Sequence, residues 1–188
     1  MTIKILAGII GTILSVACFY PYFRDIFNHK TQPHIYTWLV WSLLQGTSVI
    51  IMIRGGAGIG VWPFVVGSLL CGCVFLLSIK YGTKNITAFD TVCLIGALLA
   101  MLVYVFLHDP LLSIILVVGI DFIGFLPTLR KSYIEPKTET ASTYILSAMS
   151  SVLAVAALSN YSVITLLYPI TLIVLDTACW VVIVERRT

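Results

Sequence analysis

The sequence predicts an all-α membrane protein with seven transmembrane helices. Of its 188 residues, 60% are hydrophobic and 10% are charged, and the mean hydropathy is +1.06. These values lie outside the range of soluble globular domains. The apolar residues form seven stretches of about 20 residues, the length that crosses a hydrocarbon core of ~30 Å. Short polar segments separate the stretches.

The predicted helices follow one another closely. In chain order they are Ile3 to Phe23, Pro33 to Ile53, Gly60 to Tyr81, Ala88 to Leu107, Leu111 to Leu129, Ser142 to Leu158 and Tyr161 to Val184. The breaks have the composition of loops. Arg24 to Gln32 is polar, Gly55 to Gly58 has the glycines of a turn, and His108-Asp109-Pro110 can end one helix and begin the next.

Basic residues are unevenly distributed between the two sides of the predicted membrane. With seven crossings, the loops after the first, third and fifth helices lie on the side of the C-terminus. That side carries Arg24, Lys30, Lys80, Lys84, Arg130, Lys131, Lys137, Arg186 and Arg187, whereas the other carries Lys4 and Arg54. This asymmetry predicts an external N-terminus and a cytoplasmic C-terminus. We expect an integral protein of a prokaryotic plasma (inner) membrane.

The chain contains an internal repeat with an offset of 106 residues, the separation of Pro21 and Pro127. The same offset relates Arg24 to Arg130, Thr37 to Thr143, Pro63 to Pro169, Cys73 to Cys179, Phe27 to Tyr133, Trp38 to Tyr144 and Trp62 to Tyr168. One constant offset that aligns three helices in order predicts a duplicated unit. Residues 1–87 would form the first three-helix repeat, 88–107 a linker helix and 108–188 the second repeat. Corresponding helices are four crossings apart, so the repeats should be parallel.

A motif follows the first helix of each repeat. Residues 21–31 read PYFRDIFNHKT and residues 127–138 read PTLRKSYIEPKT, each with a proline, a short basic loop and a lysine followed by threonine. With the three-one-three layout, the chain resembles the PQ-loop and SWEET transporter superfamily over nearly its whole length. Tyr22 and Thr128 stand where that motif has glutamine. The resemblance implies parallel repeats with a cavity between two like halves.

A second resemblance lies in the second helix. Residues Trp38 to Gln45 read WLVWSLLQ, which is similar to the Trp-x-x-Trp-x-x-x-Asn signature of PnuC vitamin transporters, with Gln45 at the last position. This resemblance implies a vitamin-like solute as one alternative.

Aromatic and polar side chains share one face of that helix. Trp38, Trp41 and Gln45 lie at helical spacing, and their repeat mates Tyr144, Ser147 and Ser151 form the matching face of the sixth helix. Aromatic rings beside an amide can hold a small polar solute, so Trp38, Trp41, Gln45 and Tyr144 are predicted substrate-binding residues. The alternative is that Trp38 is an interfacial belt residue and Trp41 a packing residue.

Two aspartates fall near the middle of predicted helices, Asp121 in the fifth and Asp176 in the seventh. An ionisable side chain at this depth is costly and marks a candidate functional site. The pair could exchange protons, bind a cationic substrate or accept hydrogen bonds from sugar-like hydroxyls. The alternative is a structural clamp in which each acid is protonated and bonds a nearby Ser or Thr.

Four prolines are candidate hinges because a missing backbone donor weakens the helix ladder: Pro21, Pro63, Pro127 and Pro169. Pro21 and Pro127 could instead simply end their helices.

The sequence therefore predicts a transporter of a small polar solute, sugar, amino acid or vitamin-like and neutral or cationic, that works by alternating access and could be proton-coupled. The rival prediction is a receptor or sorting protein of the KDEL-receptor type, which shares the SWEET-like fold. The predicted partners are the solute and the bilayer, and self-association stays open.

Several other functions are not predicted. A net charge of +3 is too small for nucleic-acid binding. His29, His34 and His108 lie at helix ends on different sides of the membrane, so neither a catalytic triad nor a metal site can converge. We expect no catalysis, cofactor or metal. The five cysteines lie in apolar segments and are interpreted as packing residues.

Overall fold

The computed structural model describes residues 2–31, 33, 35–82, 87–134 and 136–187, with the backbone alone at residues 90, 107, 127, 130, 131 and 138. Lys84 and His34, named above, lie outside this part of the chain. The described residues form helices and connecting turns, with no strand among them. The helices are α1 (Thr2–Phe27), α2 (Ile35–Arg54), α3 (Trp62–Tyr81), α4 (Ala88–Leu107), α5 (Pro110–Ile134), α6 (Ala141–Ala157) and α7 (Val163–Arg187). Short 3-10 turns, Gly58–Val61 and Pro136–Thr138, precede α3 and α6.

Every predicted apolar stretch is helical, but two helices run further than expected. α1 continues past Pro21 to Phe27, and α5 continues past Pro127 to Ile134. The alternative in which these prolines end their helices is therefore wrong. A proline removes one backbone donor without forbidding the turns that follow it. At the start of α5, by contrast, the prediction holds, because the Asp109 carboxylate caps the backbone N–H groups of Leu111 and Leu112, each at 3.0 Å.

Length and composition indicate a helical membrane protein. Four helical spans are long and apolar enough to cross a membrane: Thr2–Phe27, Ile35–Arg54, Gly58–Tyr81 and Val163–Arg187. Shorter apolar stretches lie within the other three helices, Thr91–Phe106 in α4, Pro110–Leu126 in α5 and Ala141–Ala157 in α6. Large apolar side chains such as Ile3, Leu69 and Phe106 project outwards, as expected of a surface in contact with lipid.

The helices pack in the same order at the two ends of the chain. α3 lies between α1 and α2, whose backbones do not approach each other closely within the described residues, although their side chains meet. α7 likewise lies between α5 and α6. α1 packs along α6, and α4 packs against α2 and α5. Six helices therefore form two triplets of like order, α1–α3 and α5–α7, with α4 between them in sequence.

The two ends of the bundle differ. At one end, which we call the closed end, the turn before α3 meets the turn between α6 and α7. Ser159 N–H donates to the Ala57 carbonyl at 3.0 Å, Asn160 donates to the Gly55 carbonyl at 2.9 Å, and the Lys4 ammonium donates to the Leu158 carbonyl at 2.6 Å. The described residues 28–31, 33, 82, 87 and 136–140 lie at the other end, the open end.

Candidate functional site

A cavity of about 1010 Å³ lies between the two triplets. All six predicted substrate-binding residues line it: Asp121, Asp176, Trp38, Trp41, Gln45 and Tyr144. These side chains come from α2, α5, α6 and α7, and residues of α1 and α3 complete the wall. The fold thus brings together residues that are as much as 138 positions apart, the separation of Trp38 and Asp176.

The cavity reaches the surface at the open end. Its lining there includes Thr87, Phe89 and Ile134, which are all exposed. At its other extreme the lining residues are Pro63, Phe64 and Tyr168, which are all buried. The rings of Phe64 and Tyr168 meet edge to face with centroids 5.8 Å apart and form a floor. The cavity is therefore accessible from the open end of the bundle and sealed at the other end.

The two aspartates lie deep in the cavity. Asp121 is 13 residues before the end of α5 and Asp176 is 11 residues before the end of α7. At ~1.5 Å of rise per residue these separations place both carboxyl groups roughly 16–20 Å from the helix ends. Asp121 is 2% exposed and Asp176 is 5% exposed. Both acids therefore lie near mid-bundle.

The aspartates are incompletely paired. The Oδ2 atom of each is buried and has no hydrogen-bond partner among the described residues. Ser147 lines the cavity near Asp176 and is the hydroxyl that the clamp alternative would use for this acid. A buried acceptor without a donor costs about 1–3 kcal/mol, and more when it is charged. Stability alone therefore does not explain this pair of acids.

Aromatic rings form a continuous wall between the acids and the open end. Trp38 packs against Tyr22 with ring centroids 4.8 Å apart and against Trp41 at 5.2 Å. Trp41 contacts Phe125 at 5.8 Å, and Phe125 contacts Tyr144 at 6.2 Å. The wall thus runs from α1 through α2 and α5 to α6 and joins the two triplets. Trp38 Nε1 also donates to the Tyr22 hydroxyl at 3.2 Å, so this ring has a specific partner within the bundle.

Positions related by the offset of 106 residues recur around the cavity. Both members of the following pairs line it: Ser15 and Asp121, Phe19 and Phe125, Tyr22 and Thr128, Thr37 and Thr143, Trp38 and Tyr144, Trp41 and Ser147, and Gln45 and Ser151. Equivalent faces of α1 and α5, and of α2 and α6, therefore point into the same space. The two halves differ at Asp121, because the equivalent position in the first triplet is a serine. The Ser15 hydroxyl donates to the Pro63 carbonyl at 2.7 Å.

The four predicted hinge residues occupy different positions. Pro21 lies inside α1 and Pro169 inside α7, while Pro127 falls within α5, where only its backbone is described. Pro63 is in the first turn of α3, where a missing N–H costs little. Pro21 and Pro169 are therefore the better placed of the described prolines to permit bending.

Most of the lining residues were not predicted from sequence, and two of them lie against predicted residues. Glu139 lines the cavity near the open end and accepts a hydrogen bond from the Tyr144 hydroxyl at 3.1 Å. Gly67 lines it on α3, where an added Cβ would lie 2.8 Å from Gln45 Oε1. A charged residue in a predicted loop and a glycine in an apolar run carry no distinctive signal in the sequence. The free thiols Cys18 and Cys71 also line the cavity.

Charge and metal-binding capacity follow from this lining. Asp121, Asp176 and Glu139 contribute carboxyl groups, whereas no Lys, Arg or His occurs among the described lining residues. Nor does the described part of the chain contain a group of three or more His, Cys, Asp or Glu side chains placed to hold a metal ion. The cavity thus presents acids, hydroxyls, one amide and aromatic rings.

Comparison with known protein families, with curated proteins and with solved structures finds no match to this chain.

Proposed function

We propose that the chain is a membrane transporter that moves a small polar solute, neutral or cationic, by alternating access. The observation that carries the proposal is the cavity itself. It lies between two helix triplets, contains two buried acids near mid-bundle, and is accessible from one end only. A solute site with this access is what one state of an alternating-access cycle requires.

The same proposal includes a duplicated architecture of the PQ-loop and SWEET type. Two features support it besides the sequence offset. The triplets α1–α3 and α5–α7 have the same packing order, with the third helix between the other two. Residues at equivalent positions of the triplets also line one cavity. Residues 88–107 would then be the linker helix between two parallel repeats.

In the proposed cycle the triplets rock about the cavity. The closed end would open while the segments at the open end come together, with bending at the prolines inside α1, α5 and α7. Trp41 would move relative to Phe125 and Tyr144, because Trp41 belongs to one triplet and the other two residues to the second. Asp121 and Asp176 would form the polar floor for the solute, and a proton could accompany it on either acid.

A receptor for a peptide carboxylate is less well supported. Such a ligand needs basic groups in its pocket, and the described lining offers carboxyl groups instead. A receptor would bind a ligand without moving it, so flux separates the two functions.

The test is uptake into liposomes that contain the purified full-length protein. Sugars, amino acids, polyamines and vitamins would first be screened for thermal stabilisation, and each stabilising solute would then be supplied in radiolabelled form. We expect saturable uptake of at least one solute and loss of that uptake in Asp176→Asn. Gly119→Ala serves as the control, since no described atom lies within 4 Å of the added Cβ. A solute that stabilises the protein but enters no faster than into protein-free liposomes would overturn the transport proposal.

A further inference from the structure

We infer that the solute is an organic cation whose positively charged head carries N–H donors, as in a primary ammonium, an amidinium or a guanidinium group. Its head would lie between Asp121 and Asp176, and its body would lie against Trp41 and Phe125. This inference rests on the proposed function, because it assigns a substrate class to the same cavity.

The first argument is charge. Asp121 and Asp176 present two buried carboxyl groups to the cavity, and the described lining contains no basic side chain. Burying an ionised acid without a partner is strongly unfavourable. A cation supplies the missing charge, whereas an anion would add repulsion from both aspartates.

The second argument is hydrogen bonding. Asp121 and Asp176 each retain an oxygen without a donor. Both side chains line the cavity, and the last torsion of an aspartate side chain is broad. A partial rotation can therefore turn this oxygen towards a ligand in the cavity. An ammonium offers three N–H donors, and an amidinium or guanidinium offers several in one plane, enough to bond both acids.

The third argument is the aromatic wall. Trp41 and Phe125 line the cavity between the acids and the open end, with ring centroids 5.8 Å apart. Their faces can hold a flat apolar body, and they also attract a cation that passes them. An apolar body joined to a hydrogen-bonding cationic head fits this order of groups.

The test compares four probes that share a phenyl ring on the purified full-length protein in detergent. Benzamidinium has the flat ring, the charge and the N–H donors. Benzamide has the ring and donors without the charge, benzoate has the opposite charge, and trimethylphenylammonium has the charge without donors. Dissociation constants would be measured by calorimetry, with thermal stabilisation as a second readout.

We expect benzamidinium to bind at least about tenfold more tightly than any of the other three, the fold-change expected when a charged hydrogen bond is lost. Asp121→Asn and Asp176→Asn should each remove that preference. Asp109→Asn is the matched control, because Asp109 caps α5 outside the cavity and asparagine caps a helix equally well. The probe series on the unmodified protein remains decisive even if an aspartate variant does not fold.

Each outcome distinguishes the two proposals. Equal binding of benzamide and benzamidinium, or a preference that survives both aspartate substitutions, would overturn the cation inference. Equal binding of trimethylphenylammonium would overturn the requirement for N–H donors. Uptake of a neutral solute into liposomes without binding of any cation would leave the transport proposal intact and the cation inference wrong. Binding of benzamidinium with no uptake of any cation would leave the cation inference intact and the transport proposal wrong.

Discussion

Gln45 has room in the cavity because residue 67 has no side chain. A Cβ on Gly67 would lie 2.8 Å from Gln45 Oε1 and 3.0 Å from Gln45 Nε2. Both distances are far below ordinary contact, and the atoms involved are the end of a flexible side chain. The amide of Gln45 would therefore move while the helices stay in place.

We predict that Gly67→Ala weakens ligand binding by roughly 3- to 10-fold, about the effect of losing one net hydrogen bond of 0.5–1.5 kcal/mol. Unfolding temperature should change little, because a helical alanine offsets part of any repacking cost. The measurement is the dissociation constant of a ligand of the cavity alongside thermal unfolding. Gly119→Ala should alter neither, and equal affinities for Gly67→Ala and the unmodified protein would show that Gln45 does not contact the ligand.

At the level of single residues, the sequence identifies side chains that are rare in their setting. Asp121 and Asp176 stand out because a charge in an apolar helix is unusual, and Trp38, Trp41 and Gln45 because they share a helical face. Gly67 and Glu139 could not be found in this way. Their roles depend on the distance of Gly67 from Gln45 and of Glu139 from Tyr144, and these distances exist only after the helices pack.

The 3-10 turn before α3 is the element that seals the closed end. Gly60 lies directly against α6, where a Cβ would come within 2.6 Å of the Ala154 carbonyl oxygen and 2.9 Å of the Leu158 nitrogen. Both are backbone atoms, so neither can give way by rotating a side chain. Gly58 in the same turn has φ +65°, a left-handed conformation that glycine adopts without strain. This turn therefore needs glycine for both contact and conformation.

We predict that Gly60→Ala destabilises the protein by about 1–3 kcal/mol, the usual cost of forcing an extra carbon into a packed site. Because the cost falls on the closed end alone, it should also favour the state in which that end is open. Thermal unfolding measures the first effect, and the reactivity of Cys71 in the cavity towards a thiol reagent added from the closed side measures the second. Gly124→Ala, another helical glycine with no neighbour within 4 Å among the described atoms, should be neutral in both measurements. An unchanged unfolding temperature for Gly60→Ala would contradict the close packing.

Helix boundaries show why elements are only partly predictable. A proline followed three residues later by an arginine is typical of the end of a helix, yet α1 continues past Pro21 to Phe27. The extra turn of α1 is held by contacts to distant residues. The Asp25 carboxylate accepts a hydrogen bond from Thr140 at 3.1 Å, and Phe27 packs on Tyr81 with centroids 5.9 Å apart. These contacts between distant residues outweigh the local tendency of the helix to end after the proline. The order of residues along the chain does not reveal such contacts.

For the whole molecule, a constant sequence offset could predict which helices correspond, but not which of them touch. Neighbouring elements in a chain are usually neighbours in space, and this favours contact between α1 and α2. In the structure α3 lies between the backbones of α1 and α2, as α7 lies between those of α5 and α6, and only their side chains, such as Tyr22 and Trp38, meet in the described residues. The order follows from interhelical contacts such as those of Ser42 with Ser68, whose hydroxyls each donate to the other's carbonyl at 3.1 Å. Single serines in apolar helices do not reveal such a pairing in advance.

The basic residues differ between the two ends of the bundle. Lys30, Lys80, Lys137 and Arg187 lie at the open end, whereas Lys4 and Arg54 lie at the closed end. From the positive-inside rule we predict that the open end faces the cytoplasm and the closed end faces outside. If all seven helices cross the membrane, we expect the two chain termini on opposite sides.

Single cysteines in a background without the five native ones test this arrangement on intact cells with a membrane-impermeant maleimide. We predict that Tyr161→Cys at the closed end, which is exposed, is labelled directly, and that Lys137→Cys at the open end is labelled only after permeabilisation. A variant that retains only Cys73, exposed but midway along α3, controls for reagent that enters through lipid and should stay unlabelled. Labelling of Lys137→Cys alone would invert the orientation and remove the charge argument. Labelling of both loop positions from outside would rule out a bundle whose two ends face opposite sides, and with it a cavity that could open to each side in turn.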